Sequence, residues 1–133
     1  SIYKTKMKKI LIPFILIWAA VSLQGQEFGD ISIEDLQKAI LAKKVAIIDV
    51  NGQGSFQNGH IPGAINFSSQ KQALKKLLPS NKNTLIVAYC GGPSCRAYLR
   101  GAKAAAELGY NNVRHLSAGI SGWKKSGNKV AKK

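Results

Sequence analysis

Apolar positions recur at helical spacing at Ile33, Leu36 and Ile40, just after Ser32-Ile33-Glu34-Asp35. That tetrapeptide has the form of a capping box, with an acid at the third helical position. The pattern predicts a first amphipathic helix over Ile33 to Ala42, ended by Lys43-Lys44. Val45-Ala46-Ile47-Ile48 is a short apolar run with β-branched residues and reads as a buried strand ending at Asp49. Asn51-Gly52-Gln53-Gly54 reads as a turn-rich loop. Ala64 to Phe67 is a second strand. Gln70 to Leu78 is a helix with Ala73, Leu74, Leu77 and Leu78 on one face, stopped by Pro79. Thr84 to Tyr89 is the strongest strand signal and runs straight into Cys90. Ala97 to Leu108 is an Ala-rich helix with Gly109 as its stop. Asn112 to Leu116 is a last strand, and Ile120 to Lys125 a last short helix. Strands alternating with helices predict an α/β fold of three layers, a central parallel sheet flanked by helices on both faces. No internal repeat or low-complexity stretch interrupts it.

Length and charge refine this picture. The chain has 133 residues, enough for one domain. Its formal charge is +14. Lys4, Lys6, Lys8 and Lys9 precede an apolar run from Ile10 to Leu23, 14 residues long. A basic stretch, a short apolar run and then small residues form a secretory signal, and the run is shorter than the roughly 20 apolar residues of a membrane span. The expected division is therefore a signal peptide over 1–25, with Ser1 to Lys6 as an upstream extension of a start at Met7, and a single domain over 26–133. No cysteine closes the apolar run, which argues against a lipid anchor. The expected location is outside the cytoplasm, in a bacterial periplasm, with membrane contact only through the signal.

Without the first 25 residues the charge falls by four, to +10. The remaining lysines are scattered, and no aromatic residues interleave with a basic stripe as single-stranded nucleic acid requires. The expectation is a solvated surface that favours small anions, no nucleic-acid partner, and a monomer. Two cysteines are too few for a disulfide-built scaffold, and with only His60 and His115 beside them no metal site is expected.

The chemistry is concentrated in Tyr89 to Arg96. A buried strand ends, Cys90 follows, and the loop Gly91-Gly92-Pro93-Ser94-Cys95-Arg96 leads into a helix. Open parallel sheets place ligands at the carboxyl ends of their strands. Loop N–H groups and the helix dipole there stabilise an anion, so the Cys90 thiol is expected below the free value of about 8.5. Arg96 is a candidate anion ligand at the rim. The thiolate could accept a sulfur atom as a persulfide. Asp49 is expected to fix loop N–H groups rather than act as an acid, and His60 to be a hydrogen-bonded structural histidine. Arg100 reads as a solvated helix residue, Trp123 as core, and His115 has no partner visible in the sequence. Cys95 either packs against the first helical turn or serves as a resolving thiol able to bond Cys90.

At this point the sequence resembles the rhodanese-like family over about residues 32–126. Asp49-Val50 followed by Ser55 to Asn66, with Gly59-His60-Ile61-Pro62-Gly63-Ala64 at its centre, looks like the family's first signature. Gly109-Tyr110-Asn111-Asn112-Val113 and Ala118-Gly119-Ile120-Ser121-Gly122-Trp123 look like its second, and Tyr89-Cys90 stands between them. The resemblance implies a sulfurtransferase with no cofactor. Sulfane sulfur would pass from a small anionic donor such as thiosulfate, through a Cys90 persulfide cradled by residues 91 to 96, to a thiol or cyanide acceptor. Three departures stand out. Asn51 replaces the family's Arg after Asp-Val, Cys95 lies within the loop, and the seven-residue span from Cys90 to Arg96 is similar to the loops of the related cell-cycle phosphatases and arsenate reductases. The rival expectations are accordingly a non-catalytic or thiol-redox module and phosphatase-like or arsenate-reductase-like chemistry.

Overall fold

The computed structural model describes residues 28–133. The expected signal peptide lies outside these residues. Five parallel strands, β1 (Gly29–Asp30), β2 (Val45–Asp49), β3 (Ile65–Asn66), β4 (Leu85–Tyr89) and β5 (Val113–His115), form one sheet in the order β1-β5-β4-β2-β3. The two most apolar runs among the described residues, β2 and β4, occupy its centre and pair along their whole length, from Val45 opposite Leu85 to Asp49 opposite Tyr89.

Strand alternation divides these runs between two cores. Ile48 and Val50, with Ile86 and Ala88, face a cluster containing Phe67, Leu74, Leu78, Ala102, Ala105 and Tyr110. Ile47, Val87 and Tyr89 face the other way, onto Leu36, Ile61, Leu116 and Trp123. Both clusters are sealed by helices, so the sheet is the middle of three layers, as expected. Each large apolar side chain so buried contributes about 1.5–3 kcal/mol.

The first face is covered by α3 (Phe67–Gln70), α4 (Leu74–Leu77) and α5 (Tyr98–Glu107), the second by α1 (Ile33–Leu41) and α6 (Gly119–Lys125). The hydroxyl of Ser32 accepts a hydrogen bond from Asp35 N–H at 3.1 Å, the cap expected from the sequence. Lys43, rather than a glycine, ends α1 with φ +55°. Gln53–Asn58 forms a short helix, α2, whose first two residues were expected in a loop. The single helix expected over Gln70 to Leu78 is instead the last residue of α3, a 3-10 turn over Lys71–Ala73 and the four-residue α4, and Phe67, expected to end a strand, begins α3. Leu74 and Leu78, four residues apart, are buried, while Ala73 and Leu77 are exposed. The break turns half of the expected apolar face to solvent. Among the described residues, no helix is long and apolar enough to cross a membrane.

Candidate functional site

Cys90 follows the last residue of β4 and is only 3% exposed. The loop runs from Gly91 to Ala97, and α5 begins at Tyr98, one residue later than expected, with Ala97 as an N-cap lacking a side-chain hydrogen bond. The loop is held from beneath by α6. Ile120 N–H donates to Cys90 O at 3.0 Å, and Ser121 N–H donates to Gly91 O at 2.9 Å. In a trans peptide the N–H points opposite to its carbonyl. Fixing these two carbonyls on α6 therefore turns the Gly91 and Gly92 amides toward the loop's open side. Cys95 N–H closes a turn onto Gly92 O at 3.0 Å. The amides of Gly91, Gly92, Ser94 and Arg96 have no carbonyl partner among the described residues. An anion at the centre of the loop would meet them.

Gly119 makes this docking possible. Its φ is +61°, and a β-carbon there would stand 2.6 Å from Gly91 C and Gly92 N, and 2.7 Å from Cys90 O. The backbone of the loop occupies the space that any other side chain would need. Asn51 also reaches the loop: its Oδ1 lies 4.0 Å from where a β-carbon on Gly91 would be.

Cys90 and Cys95 are joined by a disulfide across the loop. Cys95 is half-buried, and of the two expectations for it the one realised is the bond to Cys90. In this state Cys90 has no ionisable thiol. Arg96 is exposed, and no carboxylate among the described residues pairs with it. Arg100, also exposed, points instead to a hollow of about 470 Å³ lined with Lys71, Lys103 and Glu107, which contains no loop residue.

Asp49 and Tyr89 form the support next to the loop. Both are fully buried, and the Tyr89 hydroxyl donates to Asp49 Oδ2 at 2.5 Å. Asp49 Oδ1 accepts Asn51 N–H at 2.7 Å, and the Tyr89 oxygen accepts Ile61 N–H at 3.0 Å. Burial holds the Asp49 carboxyl above the ordinary carboxylate range, while the bonds from Tyr89 and Asn51 pull it down. Burial, then the Asp49 charge and its hydrogen bond, push the Tyr89 hydroxyl up, so it stays a neutral donor. His60 Nδ1 bonds Phe56 O at 2.7 Å, and its ring stacks on Phe56 at 3.6 Å. Its backbone pairs with Ala131. Asp49 and Tyr89 thus bind the loops after β2 and before β3 to the end of β4, while His60 links the end of α2 to Ala131.

Sequence reasoning missed three contributors. Tyr89 carries the polar link, signalled only by a tyrosine ending an otherwise apolar strand. Gly119 was legible as part of a motif but not as the seat of the loop. His115 has partners after all: Nδ1 bonds Phe28 O at 2.8 Å, and its ring stacks on Tyr98 at 4.2 Å, tying β5 to the start of α5. Among the described residues, no three His, Cys, Asp or Glu side chains gather as a metal site.

A parallel α/β domain with a cysteine loop at the carboxyl end of its central strand defines the class. Residues 32–126 match the rhodanese-like domain, and the chain belongs to that family. It is 32% identical over 97 residues to the thiosulfate sulfurtransferase GlpE of Shewanella oneidensis, covering 72% of this chain and 92% of that protein. It is 31% identical over 109 residues to the HTH-type transcriptional regulator Rv0324 of Mycobacterium tuberculosis, covering 82% of this chain and 47% of that one. Among solved structures it resembles BH2092 from Bacillus halodurans, with TM-score 0.56, 28% identity and coverage of 78% and 77%. The human single-domain sulfurtransferase TSTD1 shares the fold, with TM-score 0.60, 19% identity and coverage of 74% and 97%.

Proposed function

We propose that the reduced chain is a sulfurtransferase that carries sulfane sulfur on Cys90. The Cys90 thiolate attacks the outer sulfur of thiosulfate. The sulfur–sulfur bond of the donor breaks, and sulfite leaves with its electron pair. The negative persulfide then lies among the loop amides. A cyanide ion or an acceptor thiolate attacks its outer sulfur, forming thiocyanate or a new persulfide and returning the Cys90 thiolate. The observation that carries this reading is the loop itself: two glycine amides turned inward by α6 around a cysteine at the end of β4. The sulfurtransferase among the relatives supports it. Export to a bacterial periplasm belongs to the same proposal, supported by the basic and apolar leader and by the disulfide.

The test is thiosulfate-dependent thiocyanate formation by reduced protein, with intact-mass analysis of Cys90. Wild type is expected to gain the mass of one sulfur atom, and Cys90→Ser to lose transfer entirely. A Cys90→Ser variant with the wild-type rate would refute the proposal.

The disulfide favours a second reading, a thiol-redox module without sulfur transfer. Reduced protein that forms the disulfide readily yet never acquires sulfur would establish it over the first.

A further inference from the structure

Cys95 stands on the returning limb of the loop, five positions from Cys90, and its sulfur reaches Cys90 Sγ while the loop remains seated on α6. The two Cα atoms are 6.2 Å apart, within the range a disulfide spans without backbone movement. The disulfide and the anion-holding arrangement of the loop are therefore one conformation. Resting on the sulfurtransferase reading above, we infer that Cys95 resolves the Cys90 persulfide, making the chain a dithiol-dependent thiosulfate reductase.

The position of the bond decides which sulfur is attacked. A persulfide on Cys90 has an inner sulfur, Cys90 Sγ, and an outer one delivered by the donor. Cys95 Sγ is seen bonded to the inner sulfur. Attack there by the Cys95 thiolate forms the Cys90–Cys95 bond and breaks the bond to the outer sulfur. The outer sulfur departs with the electron pair and takes up the proton that the Cys95 thiol gave up on becoming a thiolate, leaving as hydrosulfide. The two cysteines are oxidised by two electrons, and the sulfane sulfur is reduced by two. Hydrosulfide is the conjugate base of an acid stronger than an ordinary thiol, which makes it a good leaving group.

The oxidised loop is reset by a second dithiol, the class of reductant a paired-cysteine protein or dithiothreitol supplies. Cys95 is half-buried and Cys90 almost fully so, which directs the incoming thiolate to the Cys95 sulfur. Cys90 is then the leaving group, and the amides that stabilise its thiolate favour its release. The second thiol of the reductant frees Cys95. In sum, thiosulfate and a dithiol become sulfite, hydrosulfide and a disulfide.

The experiment is a single turnover. Protein is fully reduced, desalted under anaerobic conditions and mixed with one equivalent of thiosulfate in the absence of any other thiol. Wild type is expected to release equal amounts of sulfite and hydrosulfide and to end as the Cys90–Cys95 disulfide. Cys95→Ser is expected to release sulfite, lose the hydrosulfide signal, and retain one added sulfur on Cys90. Cyanide added to that loaded variant then yields stoichiometric thiocyanate, which shows that it is folded and competent. Wild type that keeps its persulfide without releasing hydrosulfide would overturn the inference, as would Cys95→Ser releasing as much hydrosulfide as wild type. Failure of the underlying sulfurtransferase reading has a different outcome, with neither protein releasing sulfite.

Discussion

At the scale of single residues, the most consequential side chain outside the loop is Asp49. A fully buried carboxylate is costly unless its oxygens are bonded, and both are. Burial nevertheless prevails and raises its pKa above the ordinary 3.8. Between that value and the higher folded one, the folded chain holds a proton that the unfolded chain has released. The contribution of Asp49 is thus complete below the unfolded pKa and is lost as pH rises through the folded pKa. Asp49→Asn removes that slope and leaves one of the two donors facing an amide nitrogen, at a cost of roughly 1–3 kcal/mol in acid. Urea unfolding at matched pH should show wild type favoured over the variant more strongly at about pH 3.5 than at about pH 7. A difference that grows toward neutral pH would contradict this account. The hydrogen bonding of Asp49 and His60 was legible because a polar residue at a strand end and a histidine between glycine and Ile-Pro have few alternatives. Tyr89 was not legible, since its partners lie 28 and 40 positions away.

Between elements, the decisive contact is the one between α6 and the loop. A methyl group at Gly119 must displace main-chain atoms of Cys90 to Gly92, and positive φ adds about 1 kcal/mol of strain. Gly119→Ala is expected to cost about 2 kcal/mol or more and to slow sulfur transfer on the order of a hundred-fold, since small misplacements of a reacting group are that expensive. Gly127 provides the control. It too has positive φ, +77°, but its β-carbon would meet nothing within 4 Å. Gly127→Ala should lose stability alone, with sulfur-transfer rates unchanged; equal rates for both variants would remove the role assigned to Gly119. The elements themselves were legible where periodicity was long or strong, as in α1, α5, β2 and β4. It failed for β1, two residues defined only by pairing with β5, and for α2, whose Gln-Gly start resembles a turn. The interruption between α3 and α4 was likewise hidden, because Lys71 to Ala73 hold no helix breaker.

For the molecule as a whole, the oxidation state of two atoms connects stability with chemistry. Closing a loop of this length by a disulfide removes about 2 kcal/mol worth of chain freedom from the unfolded state. Thermal unfolding with and without a dithiol should therefore show a modest loss of stability on reduction, and Cys95→Ser should match the reduced wild type. Identical melting of oxidised and reduced protein would show that the bond adds nothing to the native state. The disulfide was foreseeable only as one of two fates for Cys95. Five-residue spacing permits bonding, but it equally permits a thiol packed against α5, and the choice depends on how α6 shapes the loop.

The sheet's outermost strands, β1 and β3, contribute two residues apiece. A ladder that short gives a neighbouring chain almost nothing to zip onto. The long apolar strands among the described residues, β2 and β4, which would be the dangerous ones if bared, are shut in at the middle. Crowding in a densely filled compartment thus finds, along the edges of this sheet, little rail on which copies could line up into fibrils.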